Sequence, residues 1–177
     1  MKRLALLASM VLAGCSINIG SSDDVEPFAL SLPDADSSGL LPDWAVASVA
    51  GQCDGMNTSP TLQWSGVPAE TESFLVTMVN PEELGYPHWV VTSIPAESTG
   101  LEAAGNGEIV GGIVGATFQG PGTYIGPCWT DAEYVFTVYA LDFEYEGSNL
   151  TRYQSALNDI DGHVLAEASA TVHIAGD

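Results

Sequence analysis

The sequence predicts a mainly β protein with helix near its C-terminus, and three observations carry that prediction. Ser73–Val79 (SFLVTMV), His88–Ile94 (HWVVTSI) and Tyr134–Phe143 (YVFTVYALDF) are rich in β-branched and aromatic residues and bounded by Gly, Pro, Asn or Asp. Between the second and third of these, Gly100–Gly122 holds eight glycines and little side-chain bulk. Convincing helical periodicity is confined to one segment, where Leu150, Tyr153 and Leu157 fall along one face.

Taken in order, Phe28, Leu30 and Leu32 alternate with smaller residues ahead of Pro33, and Trp44, Val46 and Val49 form a second apolar stretch; both are expected as short strands. Ser73–Val79 and His88–Ile94 follow as longer strands. Gly100–Gly122 is expected to be a long irregular surface loop, a type of segment that often carries function. In Tyr134–Phe143, Phe136 and Val138 share one face while Val135, Tyr139 and Leu141 share the other, so this strand should be central and covered on both sides. Ser148 or Asn149 could cap a helix running to about Ile160. A further helical turn is compatible with His163–Ser169, before Thr171–Ile174 returns to alternation. No fixed-period repeat and no heptad pattern is visible.

The opening residues MKRLALLASMVLAGC place Lys2 and Arg3 before an apolar run from Leu4 to Ala13 and small residues around Gly14, the layout of a secretory signal. A membrane span needs roughly 20 apolar residues, more than this run supplies. Leu12-Ala13-Gly14-Cys15 resembles the bacterial lipobox, which implies cleavage before Cys15 and a lipid on its thiol; an ordinary signal with an incidental cysteine is the other reading. Several acyl chains would hold the chain firmly, since each buried methylene contributes about 0.8 kcal/mol. The expected organisation is a signal over residues 1–14, a lipidated flexible tether over 15–26, rich in Ser, Asn, Gly and Asp, and one domain over 27–177. The chain is therefore expected to be exported and lipid-anchored. Ser16, where Asp is absent, resembles the pattern sorted to the outer membrane, so the expected location is outer membrane, periplasm or cell surface.

Asp and Glu number 23 against three Lys and Arg, a formal charge of −20. Loss of Lys2 and Arg3 with the signal leaves Arg152 as the sole cation beside 23 acids, a formal charge of −22. Such a surface repels nucleic acid and anionic headgroups. Solubility, adaptation to a saline environment, or a preference for cations would each account for it. With Cys15 assigned to the lipid, Cys53 and Cys128 remain, either as a disulfide or as two separate buried thiols.

Cys53–Trp64 reads CDGMNTSPTLQW and resembles the CDG-x-N-x-SP-x-L-x-W signature of bacterial and archaeal phosphatidylethanolamine-binding proteins, also called Raf-kinase-inhibitor-like proteins. Further blocks follow in family order. Asn80-Pro81-Glu82 with HWVVTSIP resembles the Asp-Pro-Asp element and His-Trp strand; Gly126-Pro127-Cys128 with YVFTVYALD resembles the Gly-Pro-Cys loop and its strand; GHVLAEA from Gly162 resembles the C-terminal helix. The resemblance implies an antiparallel two-sheet sandwich with short C-terminal helices and a small anion-accepting pocket at one end. It places His88, Tyr134 and Gly126 in that pocket, with Asn80 and Glu82 at its two acidic positions. It also implies that Cys53 and Cys128 approach one another near the pocket.

The chemistry suits those residue types: imidazole and phenol can donate to an oxyanion, a Gly-Pro loop can expose backbone donors, and a carboxylate can orient the imidazole or meet an ammonium group. Asn80 replaces the usual Asp. Ala132 and Glu133 stand where the family has His and Arg, and the loop is two residues shorter, so anion binding should be weak. His88 could also be a half-buried edge histidine and Tyr134 a core aromatic. Trp129 either covers the shortened loop or walls a ligand, while Asp54, Asn57 and Thr58 are explained by turn hydrogen bonds.

No His-Glu-x-x-His, Gly-x-Ser-x-Gly or phosphate-loop Gly-Lys-Ser/Thr is present, and Val110 breaks the dinucleotide-like spacing begun at Gly105 and Gly107. No metal, cofactor or catalytic activity is expected; His163 and His173 are the only other histidines. The sequence thus points to a membrane-anchored binding module for a small polar or anionic, phosphate- or headgroup-like ligand. The alternative is a protein-interaction or inhibitor module with a vestigial pocket. Expected partners are the membrane, through the N-terminal lipid, and a small anionic ligand or a protein, without nucleic acid.

Overall fold

The computed structural model describes residues 26–83, 86–105 and 109–176. The signal, Cys15 and all of the tether before Glu26 lie outside the described residues. None of the described helices is long and apolar enough to cross a membrane.

The first half of the chain holds β1 (Ala29–Ser31), β2 (Ser48–Val49), β3 (Cys53–Asp54), β4 (Thr58–Ser59), β5 (Leu62–Ser65), β6 (Ser73–Val79) and β7 (Trp89–Pro95). The second holds β8 (Gly100–Leu101), β9 (Ala104–Gly105), β10 (Ile113–Val114), β11 (Ala116–Thr117), β12 (Gly120–Pro121) and β13 (Tyr134–Leu141). The chain then enters the helix α1 (Tyr153–Asp159) and the strand β14 (Val164–Val172). An antiparallel five-stranded sheet has the order β10-β7-β6-β13-β14, and a three-stranded sheet has the order β1-β5-β8.

Alternation along β6 determines how these layers stack. Phe74, Val76 and Met78 join Leu62 and Trp64 of β5 and Leu101 of β8 in the main core. The opposite face of the large sheet presents Leu75, Val90 and Leu141, which pack under Ala156 and Ile160 from α1 and its C-terminus. The large sheet is therefore covered on one face by the small sheet and on the other by the helix. That is why β6 is buried at every position. Full burial of each large side chain, as at Phe74, Trp89 and Phe136, contributes roughly 1.5–3 kcal/mol.

The long strands form where their composition predicts, and Tyr134–Leu141 is an interior strand paired on both edges. Other expectations are corrected. Asp43–Ala45 is a 3-10 turn following Pro42, leaving only Ser48–Val49 of that apolar stretch in a strand. Gly100–Gly122 is not a continuous irregular loop: β8 completes the small sheet and β10 edges the large one. Ser148 does not cap the helix. Its Oγ accepts from Leu150 N–H at 3.2 Å and its own N–H donates to Thr151 Oγ1 at 2.9 Å, closing a separate turn, and α1 starts at Tyr153 with Leu150 exposed. Finally, the described residues hold one C-terminal helix and not several, because the segment read as a helical turn over His163–Ser169 belongs to β14. Gly162, at φ +82, turns the chain out of α1, and Ala166, Ala168 and Ala170 then alternate inward against β13.

Candidate functional site

At one end of the large sheet, His88 immediately precedes β7 and is held by its backbone on both sides. Its N–H donates to the Met78 carbonyl at 2.9 Å, and its own carbonyl accepts from Ile125 N–H at 3.0 Å. The ring is fixed from the same loop: Nδ1 lies 2.9 Å from the Ile125 carbonyl oxygen. A carbonyl can only accept, so Nδ1 carries the proton of the neutral imidazole and Nε2 keeps its lone pair. Burial holds the His88 pKa below its ordinary value, against the opposing pull of the Ile125 and Gly126 carbonyls and the Glu83 charge.

His88 lies in the wall of a cavity of about 390 Å³ that opens to solvent. Glu83, Tyr86, Phe118, Gly126 and Trp129 share that wall. Tyr86 and Phe118 meet edge to face with centroids 5.5 Å apart, and Phe118 meets His88 in the same manner at 5.9 Å. Tyr86, Phe118 and Trp129 remain about half exposed, at 56%, 45% and 52%. Among the described residues, neither lysine nor arginine lines the cavity.

Of the five site residues expected from sequence, the cavity wall contains His88 and Gly126, while Asn80, Glu82 and Tyr134 stand behind or beside it. Tyr134 is fully buried, and its hydroxyl oxygen accepts from the backbone N–H groups of Cys128 at 3.2 Å and Trp129 at 3.0 Å. It braces the loop. Asn80 is buried, and its Oδ1 accepts from Glu82 N–H at 2.9 Å, shaping a turn that brings Glu83 to the cavity and leaves Glu82 exposed. Ala132 and Glu133 do not line the cavity either; Ala132 packs against the core.

Asn57, which sequence assigns to a turn, links this loop to the small strands. Its Oδ1 accepts from Gly126 N–H and its Nδ2 donates to the Tyr124 carbonyl, each at 2.8 Å. Gly126 is required by close approach: a Cβ there would collide with the Ala45 carbonyl oxygen and the Ala47 nitrogen. Cys53 and Cys128 form a disulfide with Cα atoms 5.7 Å apart, tying the same loop to β3. Consequently Gly126–Trp129 offers no free backbone donor to a ligand. Gly126 N–H is taken by Asn57, Pro127 has none, and Cys128 and Trp129 N–H are taken by Tyr134. Glu83, Tyr86 and Phe118 escape sequence reading because they sit in turns where neither periodicity nor a motif marks them.

Comparison with known proteins agrees with this architecture. Residues 31–175 match the phosphatidylethanolamine-binding protein family. A UPF0098 protein of the archaeon Methanothermobacter thermautotrophicus is 37% identical over 123 residues, covering 66% of this chain and 82% of the relative. The UPF0098 protein YbhB of Escherichia coli is 40% identical over 101 residues, covering 51% of this chain and 64% of that protein. Among solved structures, E. coli YbcL, presented as a new member of the mammalian PEBP family, superposes with a TM-score of 0.75 at 28% identity, covering 86% of this chain and all of that one. The Chlamydia trachomatis homologue CT736 shares the fold, with a TM-score of 0.71 at 24% identity over 85% of this chain and 99% of its own. The match over residues 31–175, the archaeal relative and the shared sheet architecture together establish that this chain belongs to the phosphatidylethanolamine-binding protein family, in its bacterial and archaeal branch.

Proposed function

We propose that this chain is an exported binding module, anchored to a membrane through a lipid on Cys15, that holds one small polar ligand in the cavity over His88. One observation carries the reading: an otherwise buried imidazole, locked by Ile125, keeps Nε2 without a hydrogen-bond partner among the described residues, in the wall of an open cavity. The volume of about 390 Å³ lies within the roughly 300–1,000 Å³ usual for small-ligand sites. A few fixed polar groups among apolar walls is the composition such sites have.

A free phosphate would find little here. One imidazole, uncharged in its favoured state, faces it beside the neutral amides of Gln52 and Gln119, and the backbone donors of Gly126–Trp129 are already used. Anion affinity is therefore weak and grows only as His88 is protonated. The test is calorimetry on the full chain in a non-ionic detergent, with small polar ligands titrated into wild type and His88→Ala. Binding that depends on His88 supports the proposal. Binding unaffected by His88→Ala, or capture of protein partners with no small ligand bound, would favour an interaction module in its place.

A further inference from the structure

We infer that the Cys53–Cys128 disulfide is a thiol–disulfide exchange site, opened in the folded protein by small cationic or neutral thiols and guarded against anionic ones. The bond does not lie in the core. Cys53 and Cys128 are both half-buried, and both stand in the wall of a second open groove, of about 1070 Å³. That groove shares only Gln52 and Cys128 with the wall of the cavity over His88. A thiolate can therefore approach the sulfurs from solvent along the groove, and disulfides reached in this way are the labile ones. Exchange runs in two steps. The incoming thiolate attacks one sulfur, forming a mixed disulfide and expelling the other cysteine as a thiolate that takes up a proton. A second thiolate then attacks the mixed disulfide, so that two cysteine thiols and the oxidised small disulfide are the products and two electrons have passed to the protein.

The surroundings let the bond open without unfolding the chain. On the Cys128 side the loop keeps its own ties, Gly126 N–H to Asn57 and the N–H groups of Cys128 and Trp129 to Tyr134. On the Cys53 side stands only a small hairpin, β2 with β3, whose strands are two residues each and whose tip, residues 50–52, is exposed. A hairpin of that size is not stable alone. Without the sulfur link, the Ala47 N–H bond to the Pro127 carbonyl is its remaining backbone tie to the loop. Reduction therefore loosens the hairpin and leaves the sheets intact. Val49 and Gln52 of the hairpin also line the cavity over His88, so the redox state of the groove reaches that wall too. The preference among thiols follows from charge. Asp43 and Asp54 stand exposed in the groove wall, and among the described residues neither lysine nor arginine joins them. The formal charge of the chain, −20, adds its longer-range field.

The experiment treats the full chain, in a non-ionic detergent, with cysteamine, 2-mercaptoethanol and 2-mercaptoethanesulfonate at equal thiolate concentrations. Mass spectrometry of alkylated peptides follows Cys53 and Cys128, and each rate is divided by that of the same thiol with a small neutral disulfide. Opening should be first order in thiol and faster than global unfolding. At about 0.01 M ionic strength, where screening reaches only beyond about 30 Å, cysteamine should outpace the sulfonate by about tenfold or more, with 2-mercaptoethanol between them. Salt at about 1 M, or Asp43→Asn with Asp54→Asn, should bring that ratio down severalfold. Hydrogen exchange of the reduced protein should show lost protection over β2 and β3 with β6 and β13 still protected. A rate that levels off at the unfolding rate as thiol is raised, or a bond that resists all three thiols in the folded protein, would overturn the exchange site. Equal normalised rates for the three thiols, or a ratio untouched by the double substitution, would overturn the charge preference.

Discussion

Asn57 and Gly126 are joined by one hydrogen bond of 2.8 Å, from Gly126 N–H to Asn57 Oδ1, that bridges 69 residues of sequence. The other end of the same amide donates to the Tyr124 carbonyl, so a single side chain holds the loop behind His88 at Tyr124 and at Gly126. Asn57 itself sits at φ +52, a conformation that Asn and Asp tolerate better than most residues.

Asn57→Ala should therefore destabilise the fold by about 1–3 kcal/mol, because it leaves a loop N–H and a loop carbonyl without partners and strains the backbone at once. Asn57→Asp should cost less, since it keeps the acceptor for Gly126 and the tolerated φ while losing the donor to Tyr124. Urea unfolding of the three proteins checks the order.

Removing the Cys53–Cys128 bond should lower stability by up to about 4.5 kcal/mol, the loop-closure value for cysteines 75 residues apart. The double substitution Cys53→Ala with Cys128→Ala tests it beside reductant treatment of wild type. Equal urea midpoints with and without the bond would show that the clamp by Asn57 and Tyr134 suffices.

Acid should destabilise the protein through His88. Its folded-state pKa is lowered, so as pH falls the unfolded chain takes up the proton first; stability is full above about 6.5 and declines as pH drops toward the folded value. The groups facing the ring are Glu83, Tyr134, Phe118 and the carbonyls of Ile125 and Gly126. His88→Gln should flatten this part of the profile. Any phosphate affinity should rise over the same window, as His88 takes up its proton.

Cys15→Ser should release the chain from the membrane or leave it as its precursor. Mass spectrometry of the membrane-purified wild type should find a diacylglyceryl-modified N-terminal cysteine; an unmodified Cys15 there would overturn the anchoring proposal.

The long strands are legible in sequence because β-branched and aromatic runs such as Ser73–Val79 have no stable alternative once both faces are covered. His163–Ser169 is not, since Leu, Ala and Glu favour helix locally and only the register against β13, Phe136 opposite Ala170 and Val138 opposite Ala168, makes it a strand. The same divide runs through the cavity. His88 and Gly126 are visible in motifs, whereas Glu83 reaches the wall through a turn formed by Asn80, and Tyr86 and Phe118 meet from segments more than thirty residues apart in the sequence. Asn57 is visible as a residue but not as a clamp, because nothing local distinguishes an amide bonded to its own turn from one that reaches Gly126.

The seam between β6 and β13, running from Val79 opposite Val135 to Ser73 opposite Leu141, has a consequence for folding order. β6 with β7, and β13 with α1 and β14, can each assemble from nearby residues, but the seam must close a loop of more than fifty residues, which delays it. His88 arrives on one side of that seam and Tyr134 on the other. A half-zipped intermediate therefore has neither the braced loop nor the imidazole in place, and recognition appears in one step with global folding. Destabilised variants should accordingly lose binding capacity in proportion to their unfolded fraction, with the folded remainder binding at full strength, and a saturating ligand should draw the population back toward the native state.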